Sequence, residues 1–125
     1  MFYDLPDPLK FANDIKNVLS DQGIWHVEMS YMPSIINTGS YDTICHEHLE
    51  YYSLKSLKYL LDKAGLKIIS LAFNQINGGS IELDVAKKKS KFKEVILSEK
   101  RTVLQKGIIK LKRVFRTLFY SYPKK

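Results

Sequence analysis

Cysteine is almost missing from this chain. Cys45 is the only one, so no disulfide can close within these residues, and a reducing compartment fits. No run of about 18 apolar residues occurs, so no transmembrane helix is expected. The opening residues have neither the basic stretch nor the apolar run of a secretory signal. A cytoplasmic location is the resulting expectation. A glycine-rich turn of the GxGxG kind is missing too, and with it the commonest device for cradling a nucleotide cofactor. No internal repeat is visible. Acidic residues run out near the C-terminus. Residues 1–86 carry 6 Lys/Arg against 11 Asp/Glu, and residues 87–125 carry 14 against 2. The net charge of +7 therefore divides into −5 and +12. A uniform nucleic-acid-binding domain would not divide this way, so no nucleic-acid partner is expected.

What is present suits a folded core rather than disorder, since 45% of the 125 residues are hydrophobic and 12% aromatic. One domain is the prior at this length. Asp7-Pro8 opens a helix, with Asp7 as cap and Pro8 at the first helical position. Phe11, Ala12, Ile15, Val18 and Leu19 give it an apolar face, and Gly23 is the expected stop. Ile24 to Ser30 reads as a buried strand in which Trp25 and His26 pack rather than ligate. Met32 to Ser40 reads as a loop or short helix. Ser53 caps a helix with Leu54, Leu57, Leu60, Leu61 and Ala64 on its core face. Leu66 to Phe73 reads as a strand, Asn77-Gly78-Gly79-Ser80 as a turn, and Ile81, Leu83 and Val85 as the inward positions of a returning strand. The order is that of an α/β layer structure ending in an antiparallel hairpin. Beyond a basic linker at Lys87-Lys88-Lys89, residues 93–120 read as a long basic amphipathic helix. Leu104, Ile108, Leu111, Phe115 and Leu118 lie on one side of it. The domain division is 1–90 and 91–125.

The chemistry concentrates in Tyr41-Asp42-Thr43-Ile44-Cys45-His46-Glu47-His48. Histidine titrates near neutral pH and a neighbouring glutamate can tune it, so this composition suits proton transfer. On extended backbone His46 and His48 would share a surface with Glu47 turned away, whereas in a turn all three would converge. Zinc binding by His26, Cys45, His46 and His48 is the rival. It is disfavoured because no second Cys or His pair stands at ligand spacing, so no metal is expected. Hydrogen bonding of the histidines to nearby backbone is the structural alternative. A Cys45 nucleophile is weaker still, since adjacency to His46 does not make a thiolate pair. The glycines of the Asn77-Gly78-Gly79 turn serve the hairpin and also permit close approach to a ligand.

Phe2-Tyr3-Asp4-Leu5-Pro6-Asp7-Pro8, Glu28-Met29-Ser30-Tyr31, Tyr41 to His48, Tyr51-Tyr52-Ser53-Leu54 and Asn77-Gly78-Gly79-Ser80 together resemble the sugar C-methyltransferases. These are class I S-adenosylmethionine-dependent enzymes acting on nucleotide-linked 4-keto-deoxysugars. The likeness covers residues 1–90. It implies the C-terminal portion of a Rossmann-like sheet, with three strands that are the fifth, sixth and seventh of seven. The fifth would present an unpaired edge, open to self-association or a partner chain. The resemblance implies His48 as the base beside the sugar ketone, Glu47 as its orienter or a sugar ligand, and His46 in the same pocket. Tyr41, Asn77, Gly78 and Gly79 would bind the substrate. Position 45 is often tyrosine in that family and is cysteine here. The S-adenosylmethionine site would lie outside this sequence, so the chain alone is expected to be inactive. The alternative is a non-catalytic binding or scaffold protein whose basic helix meets a partner or, less favoured, an anionic membrane surface.

Overall fold

The structure is a computed structural model that describes residues 2–95. Of the basic helix expected over residues 93–120, only 93–95 are described and they are not helical; the rest lies outside the described residues. Asp7 opens α1 (Pro8–Val18): its Oδ1 accepts the Lys10 N–H at 2.8 Å, and Pro8 sits where a missing N–H costs nothing. The helix stops at Val18, well before Gly23, because Leu19 turns extended and Ser20 begins a separate turn closed by the Gly23 N–H. Its apolar face is only partly covered. Ala12 is fully buried, while Val18 is 81% exposed. Phe11, 38% exposed, meets Phe2 and Trp25 edge-on, with ring centroids 6.1 and 6.2 Å away.

Strand β1 (Trp25–Ser30) is followed after one residue by α2 (Met32–Thr38). Helix α3 (Leu54–Lys63) starts in a capping box. The Ser53 hydroxyl accepts the Ser56 N–H, and the Ser56 hydroxyl accepts the Ser53 N–H. Strands β2 (Leu66–Asn74) and β3 (Ser80–Lys87) form the hairpin, joined by a single 3₁₀ turn at Ile76–Gly78. The sheet order is β1-β3-β2, with β3 antiparallel to both neighbours. β1 and β2 are thus parallel to each other, with the last strand inserted between them. This small α/β arrangement is consistent with part of a Rossmann-like sheet. Among the described residues, the outer edge of β1 has no strand beside it.

Alternation decides the two faces. Trp25, Val27 and Met29 stand opposite Val85, Leu83 and Ile81. With Leu57, Leu61, Ala64, Leu66, Ile68 and the aromatic Phe2 and Tyr52, they make the core beneath α1 and α3. The other face pairs His26 with Asp84 and Glu28 with Glu82. The expectation of a buried β1 therefore fails at alternate positions, because helices cover only one face of the sheet among the described residues. His26 is exposed and its Nδ1 lies 2.8 Å from Asp84 Oδ1, an ion-pairing residue rather than a packing one.

Past β3 the chain stays on the domain. Lys67, buried at the end of the polar face, donates through Nζ to the Lys88 and Ser90 carbonyls at 3.0 and 2.8 Å. The Val95 N–H donates to the Ile68 carbonyl at 2.9 Å. Lys87 and Lys89 pair with Asp21, and Lys88 pairs with Asp62. Acid in the first part of the chain thus meets base from the linker.

Candidate functional site

Three separate stretches meet at the end of β1 where the chain turns into α2. The N-terminal stretch is held by its first aromatic residue. Phe2 is buried among Trp25, Phe11 and Tyr52, with the Trp25 ring at 5.7 Å and the Tyr52 ring at 5.5 Å. That anchors a 3₁₀ turn (Phe2–Asp4), and the Tyr3 carbonyl accepts the Glu50 N–H at 3.1 Å. The N-terminus is thereby tied to the chain just after the histidine motif, and Tyr3 is carried against His48. Their ring centroids are 4.4 Å apart.

The motif itself is a turn. Tyr41–Thr43 form a 3₁₀ turn closed by the Ile44 N–H on the Tyr41 carbonyl. The Thr43 hydroxyl donates to the Ser40 carbonyl at 2.7 Å, which fixes that turn on the end of α2. The His48 N–H donates to the Cys45 carbonyl at 3.2 Å, so Cys45–His48 make a second turn. A turn does not bring the three motif side chains together. His46 and Glu47 stand at its tip, 92% and 77% exposed, with His46 Nε2 4.0 Å from Glu47 Oε1. His48 alone folds back.

The third stretch is the hairpin turn. Gly78 has φ +79° and Gly79 φ +120°, conformations a side chain resists. A Cβ on Gly78 would lie 2.5 Å from Ser40 Oγ, and one on Gly79 would collide with Ser34. The space that glycine leaves is therefore filled by α2 and the residue two beyond it. The Thr38 hydroxyl lies 2.7 Å from Ser40 Oγ and 3.3 Å from the Gly78 carbonyl. The Tyr31 N–H donates to the Gly79 carbonyl at 3.1 Å.

Between these stretches lies a cavity of about 350 Å³ lined by Tyr3, Ser30, Ser40, Asp42, Thr43, His48 and Gly78. That is within the lower range of small-molecule pockets, roughly 300–1,000 Å³. Its lining is hydroxyl groups, one imidazole and one carboxylate, with no Lys or Arg. Burial pushes the Tyr3 phenol above its ordinary pKa, against a weaker opposing effect from its hydrogen bond to the Ser30 side chain. The phenol is thus a protonated donor at neutral pH.

Of the residues singled out from sequence, His48 and Gly78 line the cavity. His46, Glu47 and Tyr41 do not, and Tyr41 is exposed beside it. Gly79 lies just behind, against Ser34. Asn77 belongs to the 3₁₀ turn between the strands, and its side chain lies outside what the structure describes. Sequence reasoning missed Tyr3, Ser30 and Ser40, for which only the family resemblance at Tyr3 and Ser30 gave a signal. Asp42, one of the residues that could partner a motif histidine, lines the cavity, and Thr43 lay inside the motif with no assigned place in the site. Among the described residues no three His, Cys, Asp or Glu side chains converge as a metal site.

The described residues do not fit S-adenosylmethionine. The strand-to-helix step from Ser30 to Met32 has one residue and no glycine, and the one glycine pair is packed against serines. No cradle for an adenosyl group stands open there.

The fold is a piece of an α/β sheet, and the site is a polar cavity closed by one histidine. No family model matches the chain. Among curated proteins the chain is similar to C-methyltransferase NovU of Streptomyces niveus, with 34% identity over 80 residues. That match takes in 64% of this chain and 19% of the relative, so the chain spans about a fifth of the protein it matches. The similarity supports a methyltransferase relationship for these residues. No helix among the described residues is long and apolar enough to cross a membrane.

Proposed function

We propose that residues 2–95 form the acceptor-side part of a sugar C-methyltransferase, holding a nucleotide-linked 4-keto-deoxysugar and removing the proton next to its ketone. The observation that carries this reading is His48. It is the one motif histidine directed at a cavity, and hydroxyl groups surround it there. Such a lining suits a hydroxylated sugar ring. It does not suit the diphosphate, which wants cations. A ring nitrogen of His48 takes the proton, the C–H electron pair moves into the enolate, and the negative charge settles on the former carbonyl oxygen. The Tyr3 phenol and the Ser30 hydroxyl are the donors at hand for that oxygen. Glu47 and His46, at the exposed tip of the turn, reach the sugar or its nucleotide only where those extend beyond the cavity.

Methyl donation requires S-adenosylmethionine held by sequence other than the described residues, and the open edge of β1 is where that sequence joins the sheet. These residues alone carry out the deprotonation half and do not methylate. The test needs no donor. A nucleotide-linked 4-keto-deoxysugar is incubated with the protein in deuterium oxide, and deuterium at the carbon beside the ketone is followed by NMR. General-base catalysis of about 10²–10⁴-fold should vanish in His48→Ala and persist in His46→Ala. Wild-type exchange no faster than that of His48→Ala removes the proposal.

A further inference from the structure

The turn that carries His48 is closed by a side chain to which the proposed chemistry gives no role. The Cys45 N–H donates to the Tyr51 hydroxyl at 3.2 Å, and the same hydroxyl donates back to the Cys45 carbonyl at 3.4 Å. One phenol thus acts as acceptor and donor for a single residue on the far side of the turn. The Cys45 carbonyl also accepts the His48 N–H, so both clasps end on the same residue. The Tyr51 ring stands edge-on to His48, with centroids 6.1 Å apart, while Tyr3 covers the ring from 4.4 Å. His48 is therefore gripped by two aromatic rings. One is fixed by the N-terminal anchor and the other by the turn it closes. The two ring contacts and the turn are what hold the imidazole in its orientation. The neighbouring Tyr52 plays a different part, buried with Phe2 in the core.

We infer that Tyr51 is a positioning residue, whose hydroxyl locks the Cys45–His48 turn and so aims the His48 imidazole into the cavity. The inference rests on the proposed function for the use of that aim, but the lock itself is a structural claim with its own readout. A phenylalanine at position 51 keeps the edge contact and loses both bonds to Cys45. The turn then opens and the imidazole samples orientations away from the cavity. Misplacement of a reacting group by about 1 Å can cost on the order of 10²-fold in rate.

The experiment is NMR on the full chain with ¹³C-labelled histidine and ¹⁵N-labelled backbone, comparing wild type with Tyr51→Phe. The Cys45 amide should lose its protection from hydrogen exchange. The His48 ring resonances should shift or broaden as ring currents from Tyr3 and Tyr51 change, while those of His26 and His46 stay in place. Core amides such as that of Leu83 report whether the domain remains folded. Tyr59→Phe, on an exposed ring of α3, is the control that should change none of these. In the deuterium assay, Tyr51→Phe should lower the exchange rate about tenfold or more, with substrate affinity within about twofold. An unmoved His48 spectrum together with an unchanged Cys45 amide overturns the inference, whatever the activity. A perturbed His48 in a wild-type protein that catalyses no exchange leaves the lock standing and removes the proposed function instead.

Discussion

Gly78→Ala puts the assembly of the cavity under direct test. At φ +79° an alanine pays for left-handed backbone, about 1–2 kcal/mol. Its Cβ would also lie 2.5 Å from Ser40 Oγ and 2.8 Å from Ser40 Cβ, distances that nothing but displacement relieves. Ser40 cannot retreat freely. Its hydroxyl lies 2.7 Å from that of Thr38, and its carbonyl accepts the Thr43 hydroxyl. Overpacking of this kind costs about 1–3 kcal/mol, so the total is roughly 2–5 kcal/mol. Urea denaturation followed by circular dichroism measures it. With a slope near 1 kcal/mol/M for a domain this small, the midpoint should fall by about 2 M or more. The two components separate in a double-mutant cycle with Ser40→Gly, which removes both clashing atoms. Ser40→Gly in the Gly78→Ala background should recover the steric part, about 1–3 kcal/mol of coupling, and leave the backbone part. If Gly78→Ala costs under about 1 kcal/mol, or Ser40→Gly restores nothing, the hairpin turn does not pack on Ser40 as described. The route by which Gly78 lines the cavity then fails with it.

Four further outcomes follow from single contacts. Leu57→Ala, at a fully buried core position, should lower unfolding free energy by about 2–5 kcal/mol in the same titration. Ser53→Ala removes the cap of α3 and should cost about 0.5–2 kcal/mol, with Ser53→Asp recovering most of it. Lys67→Met deprives the Lys88 and Ser90 carbonyls of their charged donor. A loss of about 1.5–3 kcal/mol should appear together with faster exchange of the Val95 amide. His26, held above its ordinary pKa chiefly by its hydrogen bond to Asp84, supplies a pH signature. Because the folded value is the raised one, its stabilising effect is complete below about pH 6.5 and is lost as pH rises through the raised value. An NMR titration should show this, and Asp84→Asn should return His26 toward the ordinary histidine value.

What the sequence made legible, and what it hid, divides along the range of the forces involved. Caps and periodicity act within a few residues. Asp7-Pro8 and Ser53 accordingly name their helices, and Ile81, Leu83 and Val85 name the inward face of β3. The early stop of α1 escaped because Val18 and Leu19 look apolar, whereas among the described residues nothing covers Val18. His26 looked like an interior residue because a strand rich in apolar side chains suggests burial on both faces. The alternation of Glu82 and Asp84 with Ile81, Leu83 and Val85 marked a polar face on β3, but only the register shows that His26 of β1 shares it. The site shows the same division. A local motif pointed to His46, Glu47 and His48 together, yet the turn that contains them sends one inward and two outward. What sorts them is not in the motif. Tyr3, far earlier in the chain, supplies the ring on which His48 rests, and Phe2 holds Tyr3 there by being buried among Trp25, Phe11 and Tyr52. The cavity is therefore a property of the core as much as of the motif. A substitution at Phe2, whose side chain does not itself line the cavity, should disturb the His48 ring resonances in an NMR spectrum more than one at His46, two residues away in sequence.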